Sequence, residues 1–354
     1  MTTPLPPAAV DARHLTDVLR RGGVLNEEGC VREVTVVSSQ PTVLSRITRL
    51  ALVYDRAVAA PRTLILKSEL PNAPSGLGES GRHEVAFYTD VAAATPVRFT
   101  PRCFAASWNA ETKAWHLLLE DLGESHAIAT AWPVPPTVAQ CERILQAYAR
   151  FHAAWWDDAR LGKSVGTWAA RDETAQNVAN ARDQFRLFCD HLGDRLSPER
   201  RDLYERFFEA APRLAERYHS HRHLTLIHGD SHVWNSFLPR DGGDDVRIFD
   251  WDAWRIGTAM ADLAYMMALH WSPERRRRLE RPLLDHYHAA LLAEGVQGYD
   301  RQALDDDYRR MVLGLIMTPV WQAGANIPPA IWWHHFERIL PAVDDLGCRA
   351  LLEA

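Results

Sequence analysis

Short runs in which hydrophobic and polar residues alternate dominate the first part of the chain. Within residues 31–70, the runs VREVTVVSS, LSRITRLALVYD and RTLILKSEL are rich in β-branched residues and are separated by Pro, Ser, Asp or Gly. They predict a small antiparallel sheet. After a connection rich in Pro, Asn and Gly, Val85, Tyr88 and Val91 recur at helical spacing. Pro96 ends this pattern, which predicts one helix packed on the sheet.

A further strand, AWHLLLEDL, is followed by a change to helical periodicity. A helix is predicted over residues 137–159, with Thr137 as its N-cap, and two more over residues 172–192 and 197–219. Two short apolar strands interrupt the helices, in LTLIHGDSHVWNSFLP and DDVRIFDWDAW, and a polar turn at residues 241–243 joins them. Helical patterns then continue to the C-terminus.

The length and composition support two domains of α+β class. The chain has 354 residues, of which 47% are hydrophobic and 24% charged, which is typical of a globular protein with a large core. The pattern predicts a first domain over residues 1–120, with the sheet and its helix. The second domain, over residues 121–354, is predicted to be larger and mostly helical.

Charge and cysteine content exclude several classes of protein. The formal net charge of -6 gives no basic field that would attract nucleic acid or an anionic membrane. The five cysteines are scattered and contain no CxxC pair, which argues against a disulfide framework or a zinc knuckle. The first residues lack the pattern of a signal peptide. We therefore expect a cytoplasmic protein without nucleic-acid or membrane partners, and the sequence does not predict its oligomeric state.

Four polar residues follow the two short strands of the second domain. They are Asp230, Asn235, Asp250 and Asp252. Polar groups beside buried strands are costly unless they bind something, and carboxylates that converge repel each other. A divalent cation with oxygen ligands removes that repulsion and leaves coordination positions for phosphate oxygens. The expected ion is Mg²⁺.

The motifs around these residues resemble a known group of enzymes. HGDSHVWN and IFDWDAWRIGTAMADLA are similar to motifs of the aminoglycoside phosphotransferases and the ecdysteroid-kinase-like enzymes, which share the protein-kinase-like fold. TLILKSEL and RHEVAFY resemble the strand lysine and helix glutamate of that fold, at Lys67 and Glu84. HLLLEDLG resembles its interlobe hinge, at Glu120 and Leu122. Lysine occurs only three times in this chain, so the position of Lys67 among aliphatic residues suggests a specific role.

The resemblance implies a bilobal fold that binds a nucleotide. Residues 1–120 would form the N-lobe and residues 121–354 the C-lobe, with the nucleotide near Glu120 and Leu122. Lys67 would contact the α- and β-phosphates of ATP or GTP, and Glu84 would hold its ammonium in place.

The resemblance also implies a metal site and an acceptor site. Asn235 and Asp250 would bind Mg²⁺. Asp230 would orient the acceptor hydroxyl and accept its proton late, because a carboxylate with a pKa near about 4 cannot deprotonate an alcohol in advance. The implied activity is phosphoryl transfer to a hydroxyl of a small molecule, which could be an antibiotic, a sterol-like compound or another metabolite.

Further residues have structural or open roles. Asp262 matches an aspartate that braces the catalytic loop through backbone hydrogen bonds, and His228 is expected to fix the backbone of that loop. His232 either approaches the terminal phosphate or satisfies local hydrogen bonds. Three roles are open for Asp252: it could contact the metal ligands, face the substrate or cap a turn.

The turn that should cover the phosphates departs from the family pattern. It reads VVSSQPTVLS and contains no glycine, so the backbone cannot approach phosphate as closely. The hydroxyls of Ser38, Ser39 or Thr42 could take over this contact.

Other functional assignments fit the motifs less well. GLGESG matches GxGxxG, but it does not follow a strand directly, so we interpret it as a flexible linker. GDSH is also similar to part of the metallophosphoesterase motif, and a metal-dependent hydrolase would need His221 and His223 as further ligands beside Asp230. A nucleotide-binding protein of the same fold without turnover is a third possibility.

Overall fold

The computed structural model describes residues 11–42, 45–70 and 78–353. These residues form two compact units. Unit 1 contains the described residues up to Ile128 together with Phe237–Trp254, and unit 2 contains Ala129–Ser236 and the residues from Arg255 onward. The boundary between lobes at residues 120 and 121 stays a prediction. The contacts of the chain assign residues 237–254 to unit 1, whereas the sequence pattern assigned them to the second domain.

Unit 1 contains two helices and two groups of strands among its described residues. Its elements are α1 (Ala12–Arg21), β1 (Val31–Pro41), β2 (Ser45–Tyr54), β3 (Thr63–Glu69), α2 (Gly78–Ala86), β4 (Cys103–Trp108), β5 (Trp115–Glu120), β6 (His126–Ile128), β8 (Ser236–Pro239, of which Ser236 belongs to unit 2) and β9 (Arg247–Ile248). A π-helical turn, Phe87–Val91, and a 3-10 turn, Ala92–Ala94, continue α2.

The first five strands form an antiparallel sheet in the order β1-β2-β3-β5-β4. The predicted strands are therefore present. β4 was not predicted, because CFAASW contains small residues without clear alternation. In the central strand β3, Lys67 is paired with Ile47 of β2 and with Leu117 of β5. Lys67 therefore lies on a strand that has a hydrogen-bonded neighbour on both sides.

The two faces of this sheet are covered by different helices. Leu15 and Leu19 of α1 pack with Leu66 and Leu118 in one hydrophobic core. α1 was not predicted from the sequence, and it adds a second helix to the single one expected. Side chains alternate along a strand, so Lys67 points to the opposite face, which is the face covered by α2.

α2 includes part of the segment that the sequence analysis treated as a linker. Gly78 begins the helix and Gly81 lies within it, so the linker prediction was wrong for these two residues. Gly76 lies outside the described residues. Gly81 permits close packing, because a Cβ atom there would lie 2.2 Å from Cε2 of Trp115. The helix can therefore approach β5 closely enough to bring Glu84 to the sheet.

A smaller sheet in unit 1 has the strand order β6-β8-β9. The predicted polar turn at residues 241–243 lies between β8 and β9. Ile248 of β9 donates its backbone N–H to the carbonyl of Phe99 at 2.7 Å, which ties the strand to the segment after α2. This sheet fixes the residues that immediately precede Asp250.

Unit 2 is mostly helical in its described part. Its elements are α3 (Val138–Ala154), α4 (Arg171–Leu192), α5 (Pro198–His219), β7 (Thr225–Ile227), β10 (Arg255–Gly257), α6 (Met260–Ala264), α7 (Pro273–Ala293), α8 (Arg301–Gly314), α9 (Thr318–Gly324) and α10 (Pro329–Asp345). A 3-10 turn covers Val233–Asn235, and a π-helical turn, Tyr265–Leu269, continues α6.

The observed elements of unit 2 follow the predicted pattern with two differences. Thr137 is the N-cap of α3, as predicted, and it also forms a capping box with Gln140. The helix ends at Ala154 rather than at residue 159, because Asp157 turns away with a φ of 50° and bonds to the backbone of Leu224. β7 pairs with β10, which was not predicted. The predicted pair of strands on either side of the polar turn is present as β8 and β9, which are neighbours in the smaller sheet.

A substitution at Gly81 tests the close packing of α2. Alanine in place of glycine usually stabilises a helix by about 1 kcal/mol. At Gly81 the added Cβ would clash with Trp115, so we expect Gly81→Ala to destabilise the protein by about 1–3 kcal/mol. Urea unfolding measures the change.

Gly314→Ala is the matched control for this prediction. Gly314 has helical backbone angles, and no atom would lie within 4 Å of an added Cβ there. This variant should be as stable as the parent or more stable. Equal stabilities of both variants would contradict the proposed contact of α2 with β5.

Candidate active site

Lys67, Glu84 and Asp250 form a charged cluster in unit 1. The Lys67 Nζ atom lies 2.8 Å from Oε1 and 2.6 Å from Oε2 of Glu84, and 2.5 Å from Oδ1 of Asp250. The side chains of Lys67 and Glu84 are 10% and 2% exposed, whereas that of Asp250 is 41% exposed. The lysine is therefore held by one buried and one accessible carboxylate.

The electrostatics of this cluster keep the Lys67 ammonium charged. Burial by itself would lower the pKa of Lys67, but the carboxylates of Asp250 and Glu84 outweigh burial and raise the pKa. The cluster contains one cation and two carboxylates. A ligand that replaces Asp250 at the ammonium would leave the Lys67–Glu84 pair intact.

The backbone at Asp250 has an unusual conformation. Its φ of 70° lies in the left-handed region, which non-glycine residues adopt only when neighbouring contacts impose it. The next residue supplies such contacts, because the Trp251 backbone N–H donates to Glu84 Oε1 at 3.4 Å. The Trp251 indole N–H donates to the Ile248 carbonyl at 3.0 Å. Asp252 lies half-buried in the turn that follows.

The predicted phosphate-binding hydroxyls lie on the β1–β2 hairpin. The Ser39 and Thr48 hydroxyls lie 2.9 Å apart, and the Thr42 hydroxyl donates to the Ser45 carbonyl at 3.0 Å. Ser38 is exposed. Two of the three predicted hydroxyls therefore have hydrogen-bond partners inside the hairpin, and their contact with phosphate stays a prediction.

The predicted hinge residues lie at the end of β5. The carboxylate of Glu120 accepts hydrogen bonds from the Arg98 guanidinium and from the backbone N–H of Arg102, at 3.2 Å each. Leu122 is buried, and its carbonyl accepts the backbone N–H of His126 at 2.8 Å. Their contact with a nucleotide stays a prediction.

Asp230 and Asn235 form a second polar cluster, in unit 2. The Asn235 Nδ2 donates to the backbone carbonyl of Asp230 at 3.0 Å and to its Oδ2 at 3.2 Å. His232 Nε2 lies 3.4 Å from the same Oδ2 atom. The 3-10 turn Val233–Asn235 makes these contacts possible, because it brings Asn235 back towards Asp230.

Asp262 organises the backbone before Asp230. Its Oδ2 accepts the backbone N–H of His228 at 2.8 Å, and its Oδ1 accepts that of Gly229 at 2.9 Å. The Nδ1 of His228 in turn accepts the backbone N–H of Asp230 at 3.2 Å. Both Asp262 and His228 are fully buried. These bonds give Asp262 and His228 the partners that a bracing role requires.

His152 of α3 is a buried partner of Asp262, and Tyr287 of α7 in turn contacts His152. His152 Nε2 lies 3.2 Å from Asp262 Oδ2, and its Nδ1 lies 2.8 Å from the Tyr287 hydroxyl. Burial by itself would raise the pKa of Asp262, but the hydrogen bond from His152 and the nearby ring of His228 lower it. This network was not predicted from the sequence, because its members are far apart in the chain.

A cluster of rings surrounds His270 in unit 2. The centroid of the His270 ring lies 5.7 Å from that of His232, 5.6 Å from Trp234, 5.0 Å from Tyr265 and 4.7 Å from His335. Burial lowers the pKa of His270 well below its usual value, and His335 and His232 lower it further. These residues come from separate segments, and no spacing in the sequence relates them.

The chemistry of Asn235 and Asp250 fits a magnesium ion. The Asn235 side-chain nitrogen is used as a donor to Asp230, which leaves the amide oxygen for other contacts. The Asp250 carboxylate is accessible. Mg²⁺ prefers such oxygen ligands. Metal binding by these two residues, which lie in different units, stays a prediction.

Comparison with known families links part of this chain to kinases. The family model of the ecdysteroid kinase-like family matches residues 162–295. This segment includes Asp230, Asn235, Asp250 and Asp262. No curated protein has significant sequence similarity to the chain.

Solved structures with this fold are similar over nearly the whole chain. A candidate aminoglycoside phosphotransferase from Ralstonia eutropha has a TM-score of 0.57 and 13% identity, and the match covers 96% of this chain and 98% of that one. The choline kinase LicA from Streptococcus pneumoniae has a TM-score of 0.52 and 12% identity, with coverages of 94% and 99%. The GDP and kanamycin complex of APH(2")-IIia has a TM-score of 0.53 and 11% identity, with coverages of 95% and 99%. The predicted protein-kinase-like fold and the predicted resemblance are confirmed.

The buried imidazole of His335 makes stability depend on pH. Burial lowers the pKa of His335 to about 3, and Arg338, His232 and His334 contribute to the shift. The unfolded chain therefore binds more protons than the folded protein below the usual histidine pKa of about 6.5. Stability present above that pH should be lost as pH falls towards 3. Thermal unfolding between pH 7.5 and pH 5 should show a weaker pH dependence in His335→Gln than in the parent.

The neighbouring histidine supplies the control. His334 is exposed, so His334→Gln should retain the pH dependence of the parent. A His335→Gln variant with the same pH dependence as the parent would contradict the buried, neutral state of this ring.

Proposed function

We propose that the protein is a small-molecule kinase that transfers the γ-phosphoryl group of ATP or GTP to a hydroxyl of an acceptor. The observation that carries this proposal is the buried Lys67 ammonium, held by Glu84 and Asp250. The protein is acidic overall, so phosphates must be attracted locally. A charged lysine with one accessible carboxylate partner meets that need, since phosphate oxygens can take the place of Asp250.

The cluster in unit 1 would act on the nucleotide. Lys67 would contact the α- and β-phosphates, and Glu84 would keep its ammonium in position. Asn235 and Asp250 would hold Mg²⁺. When bound, this ion neutralises charge on the phosphates. Hydroxyl groups of Ser38, Ser39 or Thr42 would contact the phosphates from the glycine-free turn, and Glu120 and Leu122 would lie near the base.

The cluster in unit 2 would act on the acceptor. Asp230 would orient the hydroxyl and accept its proton late in the transfer. Asn235 and His232, which both contact its Oδ2 atom, would fix the orientation of this carboxylate. Asp262 and His228 would hold the backbone of the loop. Positioning of this kind supplies much of the rate in phosphoryl transfer.

The relatives in fold support a nucleotide donor and a small acceptor. One of the similar structures is a choline kinase, and another binds GDP and kanamycin. For this protein the acceptor is proposed to be an antibiotic, a sterol-like compound or another hydroxylated metabolite. A cytoplasmic location stays a prediction. No helix in the described part of the chain has the length and apolar character needed to cross a membrane.

The hydrolase alternative receives less support from the structure. Such an enzyme needs several acidic or histidine ligands around its metals. Among the described residues, no group of three or more His, Cys, Asp or Glu side chains could hold a metal ion. The His221 ring instead stacks on Trp168 at 4.0 Å, and His223 packs against Trp156 and Tyr299.

A nucleotide-consumption screen tests the proposed function. The protein is incubated with Mg²⁺, ATP or GTP and panels of hydroxylated metabolites, sterols and antibiotics, and products are examined by mass spectrometry for an added phosphate. A phosphorylated product supports the proposal. Nucleotide binding without any product would favour a binding protein, and release of phosphate from phosphoesters without nucleotide would favour the hydrolase.

Substitution of the two central aspartates should remove activity. Asp230→Asn and Asp250→Ala should each lower kcat by at least about a hundredfold, because the acceptor and the nucleotide phosphates lose their positioning groups. Kinase assays on a product-forming acceptor measure the effect, and circular dichroism checks the fold. Asp241→Asn, at an exposed turn residue, is the control and should retain parental activity. Parental kcat in either test variant would refute the role of that residue.

The three lysines allow a matched test of the nucleotide site. Lys67→Ala and Lys67→Met should weaken nucleotide use far more than Lys113→Ala or Lys163→Ala, because the other two lysines are exposed. Breaking a buried ion pair typically costs about 3–5 kcal/mol, so nucleotide affinity is measured by calorimetry on protein shown to be folded. Equal losses in all variants would contradict the assignment of Lys67.

A further inference from the structure

His83 and Trp254 bind each other through two reciprocal hydrogen bonds in unit 1. The indole N–H of Trp254 donates to the backbone carbonyl of His83 at 2.9 Å. The His83 Nε2 atom lies 2.5 Å from the backbone carbonyl of Trp254, so it must donate its N–H to that oxygen. The two rings are stacked, with centroids 4.9 Å apart and an interplanar angle of 13°. We call this pair the His–Trp clasp.

The clasp joins two segments that carry charged residues of the nucleotide cluster. His83 lies in α2 and immediately precedes Glu84. Trp254 ends the segment that contains Asp250, and its side chain is only 4% exposed. The clasp therefore connects the segments of both carboxylates that hold Lys67, without itself contacting Lys67.

A second aromatic contact acts between the same two segments. Trp251 stacks on Phe87 with centroids 4.0 Å apart and an interplanar angle of 5°, and it meets Phe99 edge to face at 5.3 Å. His83 and Phe87 are four residues apart, so they lie on the same side of the helical segment. Trp251 and Trp254 thus hold the turn at residues 251–254 at two points along α2 and its continuation.

These contacts restrain the unusual backbone conformation of Asp250. Its left-handed conformation is unfavourable for a residue with a Cβ, and such conformations persist only where the surroundings impose them. On the N-terminal side, β9 belongs to the small sheet. On the C-terminal side, Trp251 and the clasp supply the restraint. Loss of the clasp would allow the turn and the Asp250 carboxylate to move.

We propose that His83 and Trp254 are positioning residues that hold the Asp250 carboxylate in the orientation needed to bind Mg²⁺ beside the Lys67–Glu84 pair. The expected effect on kcat rests on the proposed function, whereas the expected effect on the mobility of the turn does not. Neither residue is catalytic, because the contacts described for them reach Asp250 only through the chain. A role in packing alone would predict that the rings matter and that the reciprocal hydrogen bonds do not.

Two variants remove the hydrogen bonds and retain the rings. Trp254→Phe removes the indole N–H, and His83→Phe removes the imidazole donor. His83→Gln retains a side-chain donor and is the conservative variant. Trp108→Phe, in β4 of the same unit, is the control for loss of an indole elsewhere.

The first measurement uses the protein without metal or nucleotide. Hydrogen exchange is followed by mass spectrometry on peptides that cover residues 249–256 and 82–87. Trp254→Phe and His83→Phe should increase exchange in both peptides, while peptides from β2 and β3 exchange as in the parent. His83→Gln should exchange like the parent. Unchanged exchange in both Phe variants would overturn the clasp as a restraint on Asp250.

The second measurement separates metal use from nucleotide affinity. In both Phe variants the Mg²⁺ concentration for half-maximal kcat should rise about three- to tenfold, which is the effect expected from loss of one or two hydrogen bonds. Nucleotide affinity without Mg²⁺ should stay within about twofold, because the Lys67–Glu84 pair is untouched. Trp108→Phe and His83→Gln should behave like the parent. An unchanged Mg²⁺ requirement, or an equal rise in His83→Gln, would overturn the positioning role.

The two measurements distinguish failure of the clasp from failure of the proposed function. If the parent protein phosphorylates no acceptor, the kinase proposal fails. In that case, calorimetry measures how nucleotide binding depends on the Mg²⁺ concentration. The Mg²⁺ concentration that gives half-maximal binding should rise about three- to tenfold in the Phe variants. A protein that binds Mg²⁺ and nucleotide independently of the clasp refutes this inference even if the kinase proposal holds.

Discussion

Burial of the Lys67 charge is the constraint on which the rest of unit 1 depends. An ammonium that is 10% exposed stays protonated only if carboxylates lie against it, and here Glu84 and Asp250 fill that requirement from two distant parts of the chain. Glu84 reaches it because Gly81 lets α2 approach the sheet. Asp250 reaches it through a left-handed backbone conformation. The close packing of α2 and the strained backbone of Asp250 thus both serve to bring a carboxylate to the Lys67 ammonium.

The sequence contained enough information for the fold class and the charged motif residues, since strand alternation, helical periodicity and the Thr137 N-cap are local signals. α1 and β4 were missed. α1 does carry a local signal, since Leu15, Val18 and Leu19 recur at helical spacing after the N-cap Asp11, but the helix has only 10 residues. CFAASW has no β-branched residues. The pairing of β7 with β10 was also missed, because two three-residue strands separated by 27 residues leave no periodic trace. Long-range pairing of this kind depends on the tertiary structure.

The site shows the same division between local and long-range information. The spacing of Asp230 and Asn235 is local, and the structure places their side chains in contact. The ring cluster around His270 and the network of His152 with Asp262 join residues that are tens to more than a hundred positions apart. Histidine occurs sixteen times in the chain, so composition alone could not single out the buried ones. The lowered pKa values of His270 and His335 follow from burial, which only the folded chain defines.

The discontinuous course of unit 1 has a consequence for how this protein is made. The ribosome must synthesise the chain as far as Trp254 before unit 1 has all of its residues, and by then it has also synthesised Ala129–Ser236 of unit 2. A nascent chain that stops at Ile128 has Lys67 and Glu84 but lacks the second carboxylate. Completion of the first unit therefore depends on closure of a long loop, which slows folding compared with a domain formed by one continuous segment. Premature termination within that loop would leave a buried cation with an incomplete set of counter-charges.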